Sequence, residues 1–261
     1  MAGAFYPGEP QRLRAEVTAL LAHVPDEGRA APKALIAPHA GYVYSGQVAA
    51  TAFASLRHGS PTIARVVVIG PAHYVRLRGI AVPTADAFAT PLGQVPVDRD
   101  ALAAIGDLVT EADAPHAPEH SLEVELPFLQ LILGSFTLVP LLVGEAEPQE
   151  VAEVLDRLWD HPDTLVVVSS DLSHYHDYDT ARRLDAATAA AVERFDWAHL
   201  GPGNACGFLP VAGLLKQAEY RTLKAKRLAL CNSGDTAGPR DRVVGYGAWS
   251  FASKSGEGTL S

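Results

Sequence analysis

Residues 165–175 read LVVVSSDLSHY, an apolar β-branched run that ends in a polar turn containing a histidine. Two other segments repeat this pattern, RVVVIGPAHY at residues 65–74 and KALIAPHAGYVYS at residues 33–45. Runs of this kind are typical of strands that are buried on both faces of a parallel sheet. Ligands of open α/β sheets bind beyond the carboxyl ends of the strands. The turns therefore predict one site that contains His39, His73 and His174, and a metal ion is the expected ligand.

Strand-like and helix-like segments alternate along the 261 residues, which predicts an α/β fold. We expect one domain over residues 1–251, with a central mixed, mostly parallel sheet of seven or eight strands flanked by helices, and a polar, disordered tail over residues 252–261. Helices are predicted over residues 9–24, 45–56, 101–108, 120–133, 148–159, 181–195 and 206–220. Strands are predicted over residues 34–37, 65–70, 79–83, 88–97, 136–143, 164–169, 226–231 and 243–250, with an edge hairpin formed from 79–83 and 88–97.

The charge and the motifs exclude several classes of function. The formal net charge is −9, which argues against a nucleic-acid partner because phosphate binding needs clustered lysine and arginine. No secretory signal or membrane-length apolar run is evident, so the sequence predicts a soluble cytoplasmic protein without a membrane partner. The chain has no G-x-S-x-G elbow, Walker A sequence or H-E-x-x-H motif, and residues 201–206 lack the third glycine of a dinucleotide loop.

Cys206 lies in the segment NACGFLPVAGLL, residues 204–215, just before an apolar helix. A thiolate there would be stabilised by the helix N-terminus and by a metal ion. Together with His39 and His73 it would give three protein ligands and leave coordination positions open, as in reactive metal sites. The alternative is structural, since a histidine after a strand can be a hydrogen-bonded turn residue and a small cysteine can simply pack.

Asp171 and His174 are three residues apart in one turn, where the carboxylate could fix the tautomer of the imidazole. His174 could then move protons to or from a substrate. In the alternative interpretation, Asp171 caps the following turn and His174 only fills the pocket. His120 shares a predicted helix face with Glu123, so it could reach the site as a further catalytic residue, although the same residues also resemble a helix N-terminus.

Six motifs in order resemble the Memo-like protein family, of the AmmeMemoRadiSam system protein B type. They are AGAFYPG (2–8), APHAGYVYSG (37–46), GPAHY (70–74), EHSLEVELPFL (119–129), SSDLSHY (169–175) and ACG (205–207). The resemblance implies a fold similar to class III extradiol dioxygenases, which are non-haem iron enzymes. It also implies His39, His73 and Cys206 as metal ligands, with Asp171 and His174 lining the pocket. The dioxygenases complete their site with a carboxylate, whereas this chain has a cysteine.

Two functions follow from these expectations. The first is a metal-dependent oxidoreductase with dioxygenase-like activity on a small molecule, using Fe(II) or copper, with zinc as a further candidate. The second is a non-catalytic binding or adaptor module, whose pocket recognises a partner peptide or a radical-SAM-type protein. The prokaryotic proteins that this chain resembles look associated with radical-SAM-type proteins, and animal ones with signalling through partner peptides. A fold alone does not choose between these functions.

Overall fold

A computed structural model describes residues 1–58 and 62–253. The strands are β1 (Ala34–Ala37), β2 (Arg65–Pro71), β3 (Ile80–Val82), β4 (Ala87–Thr90), β5 (Gly93–Pro96), β6 (Thr110–Glu111), β7 (Thr137–Val143), β8 (Thr164–Ser169), β9 (His174–His176), β10 (Lys224–Asn232) and β11 (Val243–Ala252). The helices are α1 (Pro10–Ala22), α2 (Tyr42–Ala54), α3 (Arg99–Ala104), α4 (Asp113–His116), α5 (Leu126–Leu133), α6 (Pro148–Trp159), α7 (Tyr178–Glu193) and α8 (Phe208–Tyr220). Short 3-10 turns cover Glu123–Glu125, Trp197–His199 and Ser233–Asp235.

The described residues form a nine-stranded mixed sheet in the order β10-β11-β1-β8-β2-β7-β3-β6, with β9 paired to β11. Its centre is parallel, since β1, β8, β2 and β7 all run in the same direction. Antiparallel pairs flank this centre, where β11 joins β1 on one side and β3 joins β7 on the other. The α/β fold with a mixed sheet between helices is therefore confirmed.

Helices cover both faces of the sheet, and the side chains of β2 show how the two cores are divided. Successive side chains on a strand point to opposite faces. Val66 and Val68 pack in the core that also contains residues of α1, α2 and α5. Val67 and Ile69 pack in the other core, with residues of α3, α6, α7 and α8. Burial on both faces explains why this strand is an unbroken apolar run.

Several helices begin a few residues from the predicted position, and in two of them the residue expected at the N-terminus does not cap or open the helix. Helix α2 begins at Tyr42, with Gly41 at its N-cap, whereas Ser45 was expected to cap it. Ser45 instead donates its hydroxyl to the carbonyl of Ala40. His120 lies before the helix it was expected to open, because a 3-10 turn precedes α5 and Pro127 sits in the first turn of α5. Proline is tolerated in a first turn, so it does not kink this helix.

The edge hairpin differs from the prediction in its partners. The segment 88–97 forms a hairpin by itself, β4 with β5, in a separate two-stranded sheet. The segment 79–83 contributes β3, which pairs with β7 and β6. The tail was expected from residue 252, but Ala252 is the last residue of β11, and residues 254–261 lie outside the described residues.

No helix in the described ranges is long and apolar enough to span a lipid bilayer.

Candidate metal centre

The candidate site lies at the carboxyl ends of three adjacent parallel strands. His39 follows β1 by two residues, and His73 follows β2 by two residues. Between them runs β8, whose last residue is Ser169. Because parallel strands end at the same edge of a sheet, residues 34 positions apart in sequence become neighbours there. The ring centroids of His39 and His73 are 5.2 Å apart.

His120 completes a cluster of three imidazoles, which we call the histidine cup: His39, His73 and His120. One ring nitrogen from each residue lies within 4.8 Å of the others. Zinc–imidazole bonds of roughly 2.0–2.1 Å at tetrahedral angles would place such nitrogens about 3.4 Å apart, so small ring movements would close the cup on an ion. His39 is buried, and His73 is the most exposed of the three. The sequence predicts a catalytic role for His120 and does not place it among the ligands.

A buried chain of hydrogen bonds fixes the ring of His39. Its Nδ1 lies 2.7 Å from Ser169 Oγ, and that hydroxyl is 2.9 Å from Glu125 Oε1 and also donates to the carbonyl of Ser121. Since the hydroxyl proton is used towards these acceptors, we assign the proton of the first bond to Nδ1 of His39. Nε2 then carries the lone pair that faces the cup.

The electrostatics of His39 also favour the neutral ring. Burial lowers the pKa of His39 well below its usual value, and the neighbouring imidazoles of His73 and His120 lower it further. A neutral imidazole is the form that binds metal ions.

Glu119 supports the other two histidines, a role that the sequence does not predict. Its Oε1 is 2.8 Å from His73 Nδ1 and accepts the backbone N–H groups of His120 at 2.9 Å and Ser121 at 3.0 Å. Its Oε2 accepts the backbone N–H of His73 at 2.6 Å. Burial would raise the pKa of this carboxyl, but the nearby His120 imidazole and the hydrogen bonds from His73 and Ser121 hold that pKa well below its usual range.

Cys206 lies beside the cup and contacts one of its members. Its Sγ is 3.3 Å from His39 Nε2 and accepts the backbone N–H of Asp171, also at 3.3 Å. Burial, with the nearby Asp171 carboxyl, raises the pKa of the Cys206 thiol to about 12. The expected effect of the α8 N-terminus on the thiolate is therefore outweighed by burial when no cation is present.

Asp171 and His174 lie next to the site, but they do not pair as expected. Asp171 Oδ1 accepts the backbone N–H of His39 at 2.9 Å, which fixes the turn after β1. His174 Nδ1 is 2.8 Å from the carbonyl of Leu172, so this carbonyl, and not the Asp171 carboxylate, sets its tautomer. Burial raises the pKa of Asp171, and His174 is close enough to oppose that shift.

Aromatic side chains form the wall of the cup around His120. Phe5 stacks on the His120 ring with a centroid distance of 4.4 Å, and His73 stacks on it at 4.8 Å. The carbonyl of Phe5 accepts the backbone N–H of Tyr42, which attaches the N-terminal segment to α2. Tyr74 lies 5.7 Å from His120 and is 58% exposed, so it stands at the rim.

Comparisons with known proteins agree with this fold and these motifs. Residues 1–250 match the family described as Memo-like protein. A MEMO1 family protein of Saccharolobus solfataricus, SSO0066, is 31% identical over 281 residues, which cover 97% of this chain and 98% of the relative. Another MEMO1 family protein, from Archaeoglobus fulgidus, is 32% identical and covers 94% of this chain and 95% of its own.

A solved structure is also similar. The crystal structure of the uncharacterized protein JW3007 from Escherichia coli K12 gives a TM-score of 0.56 at 14% identity and covers 83% of this chain and 98% of that one. At this identity the likeness concerns the fold alone. The family match and the relatives above 30% identity carry the assignment. The chain belongs to the Memo-like family.

Proposed function

We propose that this Memo-like protein binds one transition-metal ion in the histidine cup and uses it for redox chemistry on a small molecule. The observation that carries the proposal is the convergence of His39, His73 and His120, with ligand atoms within 4.8 Å of one another. Cys206, 3.3 Å from His39 Nε2, is the candidate for a further ligand or for an alternative to His120.

The donor atoms fit Fe(II) or copper, with zinc as a further candidate. Neutral imidazoles bind all three metals, and a thiolate would add a soft ligand of the kind that binds copper(I), zinc and iron–sulfur centres. Three or four protein ligands would leave coordination positions open on a five- or six-coordinate ion. A bound iron or copper ion would supply one-electron chemistry and a binding position for a small substrate.

The chain's own residues would handle protons and access. His174 is the candidate acid or base, because its Nδ1–H is committed to Leu172 and its other nitrogen is left to accept a proton. Asp171 would hold the turn that carries His39. Phe5, stacked on His120, would keep water away from one side of the cup.

The test is anaerobic calorimetric titration of metal-free protein with Fe(II), Cu(II) and Zn(II). We expect one ion per chain, with affinity lowered in His39→Ala, His73→Ala and His120→Ala by more than the roughly 10- to 100-fold that is typical when a partner supporting a ligand is lost. His176→Ala removes an exposed imidazole outside the cup and is the control. Stoichiometric binding that none of the three cup variants weakens would contradict the site. Oxygen-uptake assays on the metal-loaded protein, with phenolic and other small substrates, would then test turnover; absence of turnover with all of them argues against the enzyme.

A second function, recognition of a partner peptide or a radical-SAM-type protein, is favoured by exposed aromatic residues beside the site. Tyr74 is 58% exposed next to His73, and Tyr175 is 65% exposed next to His174. Tyrosine is enriched where proteins bind one another. Pull-downs with and without chelator, using wild type and Tyr175→Ala, distinguish the functions. Partner capture that ignores the chelator but needs Tyr175 supports the module.

A further inference from the structure

We propose that Glu119 is a shared positioning residue, whose single buried carboxylate sets the orientation and tautomer of His73 and holds His120 through its backbone N–H. The inference rests on the proposed metal function, because it assigns the support of two of the three proposed ligands. Among the described residues Glu119 makes no hydrogen bond or ion pair with Cys206, so its role would be exerted through the imidazoles.

The hydrogen bonds to Glu119 are of a kind that defines a tautomer. A carboxylate only accepts hydrogen bonds, so the 2.8 Å contact with His73 requires the proton on Nδ1. The other nitrogen of His73, Nε2, is then unprotonated and free to bind a metal ion. The second carboxylate oxygen accepts the backbone N–H of His73 at 2.6 Å, so the ring and the backbone of this residue are fixed by the same group.

His120 is held by the same oxygen but less completely. Its Nδ1 is 3.2 Å from Glu119 Oε1, yet the angle is poor, and within the described residues this buried nitrogen has no hydrogen-bond partner. A small turn of the ring within its own plane would keep its stacking on Phe5 and His73 and would complete a second Nδ1–H bond to Glu119.

The surroundings show that the site is built for a carboxylate. The Glu119 side chain is 1% exposed, and within the described residues it forms no ion pair with a lysine or an arginine. Its charge is balanced by N–H groups of His73, His120 and Ser121. Carboxylates that hold metal-binding histidines in this way orient the ring and increase the basicity of the ligand nitrogen, and their loss typically lowers metal affinity about 10- to 100-fold.

The experiment uses two variants and a matched control. Glu119→Gln keeps the shape and one acceptor oxygen but removes the charge, and Glu119→Ala removes the acceptor. Glu123→Ala is the control, because Glu123 belongs to the same loop but contacts Tyr6 and the Met1 amino group. The first readout is nitrogen-15 NMR of the imidazoles in metal-free protein, which reports the tautomer of each histidine directly. The second readout is affinity for Zn(II) alone by competition with a chelating dye.

In wild type we expect His73 as the Nδ1–H tautomer, with its Nδ1 proton far downfield. Glu119→Gln should keep this tautomer and move the proton upfield, whereas Glu119→Ala should populate the Nε2–H form. Zn(II) affinity should fall about 10- to 100-fold in Glu119→Ala and less in Glu119→Gln, and Glu123→Ala should match wild type.

The inference is overturned if the His73 tautomer and the position of its proton are the same in wild type and Glu119→Gln, the variant closer in shape and therefore in folding. It is equally overturned if Glu123→Ala produces the same changes. These outcomes are separable from failure of the proposed function. If wild type bound no metal ion while its tautomers still depended on Glu119, the metal function would fall and the orienting role would stand.

Discussion

The buried carboxyl of Glu125 should make the protein lose stability as pH rises, and Glu125→Gln should remove that loss. Glu125 has no exposed surface, and its Oε2 lacks a hydrogen-bond partner within the described residues. Burial raises the pKa of this carboxyl well above its usual range, and the nearby Asp171 adds to the rise. The folded protein therefore keeps this proton at pH values where the unfolded chain has lost it.

The sign and the size follow from proton linkage. Above the unfolded pKa of about 4.3, the unfolded state binds fewer protons than the folded state, so the free energy of unfolding falls with rising pH. One proton corresponds to about 1.4 kcal/mol per pH unit, up to the raised pKa of the folded state. Glutamine cannot ionise, so the stability of Glu125→Gln relative to wild type should increase by roughly 1 kcal/mol per pH unit above the unfolded pKa, until the pH reaches the raised pKa of the folded state.

The assay is urea unfolding followed by tryptophan fluorescence, in chelator, at several pH values. Taking the difference between wild type and variant cancels the contributions of other groups, including the histidines. Glu123→Gln serves as the control, because it makes the same chemical change two residues away at a partly exposed side chain. Parallel stability curves for wild type and Glu125→Gln would refute the conclusion that Glu125 is neutral in the folded protein.

Three other predictions concern the site and its scaffold. Metal uptake near pH 7 should release about one proton per ion from the Cys206 thiol, whose pKa is about 12, and Cys206→Ala should release fewer, as read with an indicator dye in weak buffer. Gly245→Ala should destabilise the protein by about 1–3 kcal/mol in thermal unfolding, because the added carbon would lie 2.1 Å from the Asp185 carboxylate. Phe5→Ala should cost about 1 kcal/mol and broaden the NMR signals of His120, on which it stacks.

The buried strands and one helix were predictable because local sequence determines them. Residues 164–169 are apolar or small at each position and are all buried, so their burial pattern is visible in the sequence itself. Helix α6 matches its predicted bounds, Pro148–Trp159, because proline occupies its first turn and apolar residues recur on one face. The family assignment was also predictable, since it depends on short motifs in a fixed order and not on geometry.

The predicted helix starts were wrong where no side chain caps the helix, because the sequence then contains no capping residue to mark the first turn. Helix α2 begins after Gly41, which makes no side-chain cap hydrogen bond. Residues 120–123 looked like a helix N-terminus, but Ser121 Oγ donates to the carbonyl of Pro71, on the exit of β2. A polar side chain near a helix start can thus donate its hydrogen bond to a distant strand. The sequence does not show whether the side chain binds that strand or caps the helix.

The support for the histidines could not be predicted for the same reason. The contact between Glu119 and His73 joins residues 46 positions apart, and Ser169 reaches Glu125 across 44 positions. Both contacts depend on where the loop before α5 packs against the sheet. In the sequence, an acidic residue next to a histidine in a proline-containing segment is too common to indicate such a role.

One loop therefore determines the geometry of the whole cup, although the strands supply two of its histidines. The loop of residues 119–125 provides His120 itself, the carboxylate that holds His73 and, through Ser169, the carboxyl that supports His39. It can lie against the sheet edge because residue 70 is glycine: a Cβ there would be 2.9 Å from Ser121 Oγ. The ends of the parallel strands bring His39 and His73 near each other. The close packing of this loop on β2 would then direct these two rings and His120 towards one common centre.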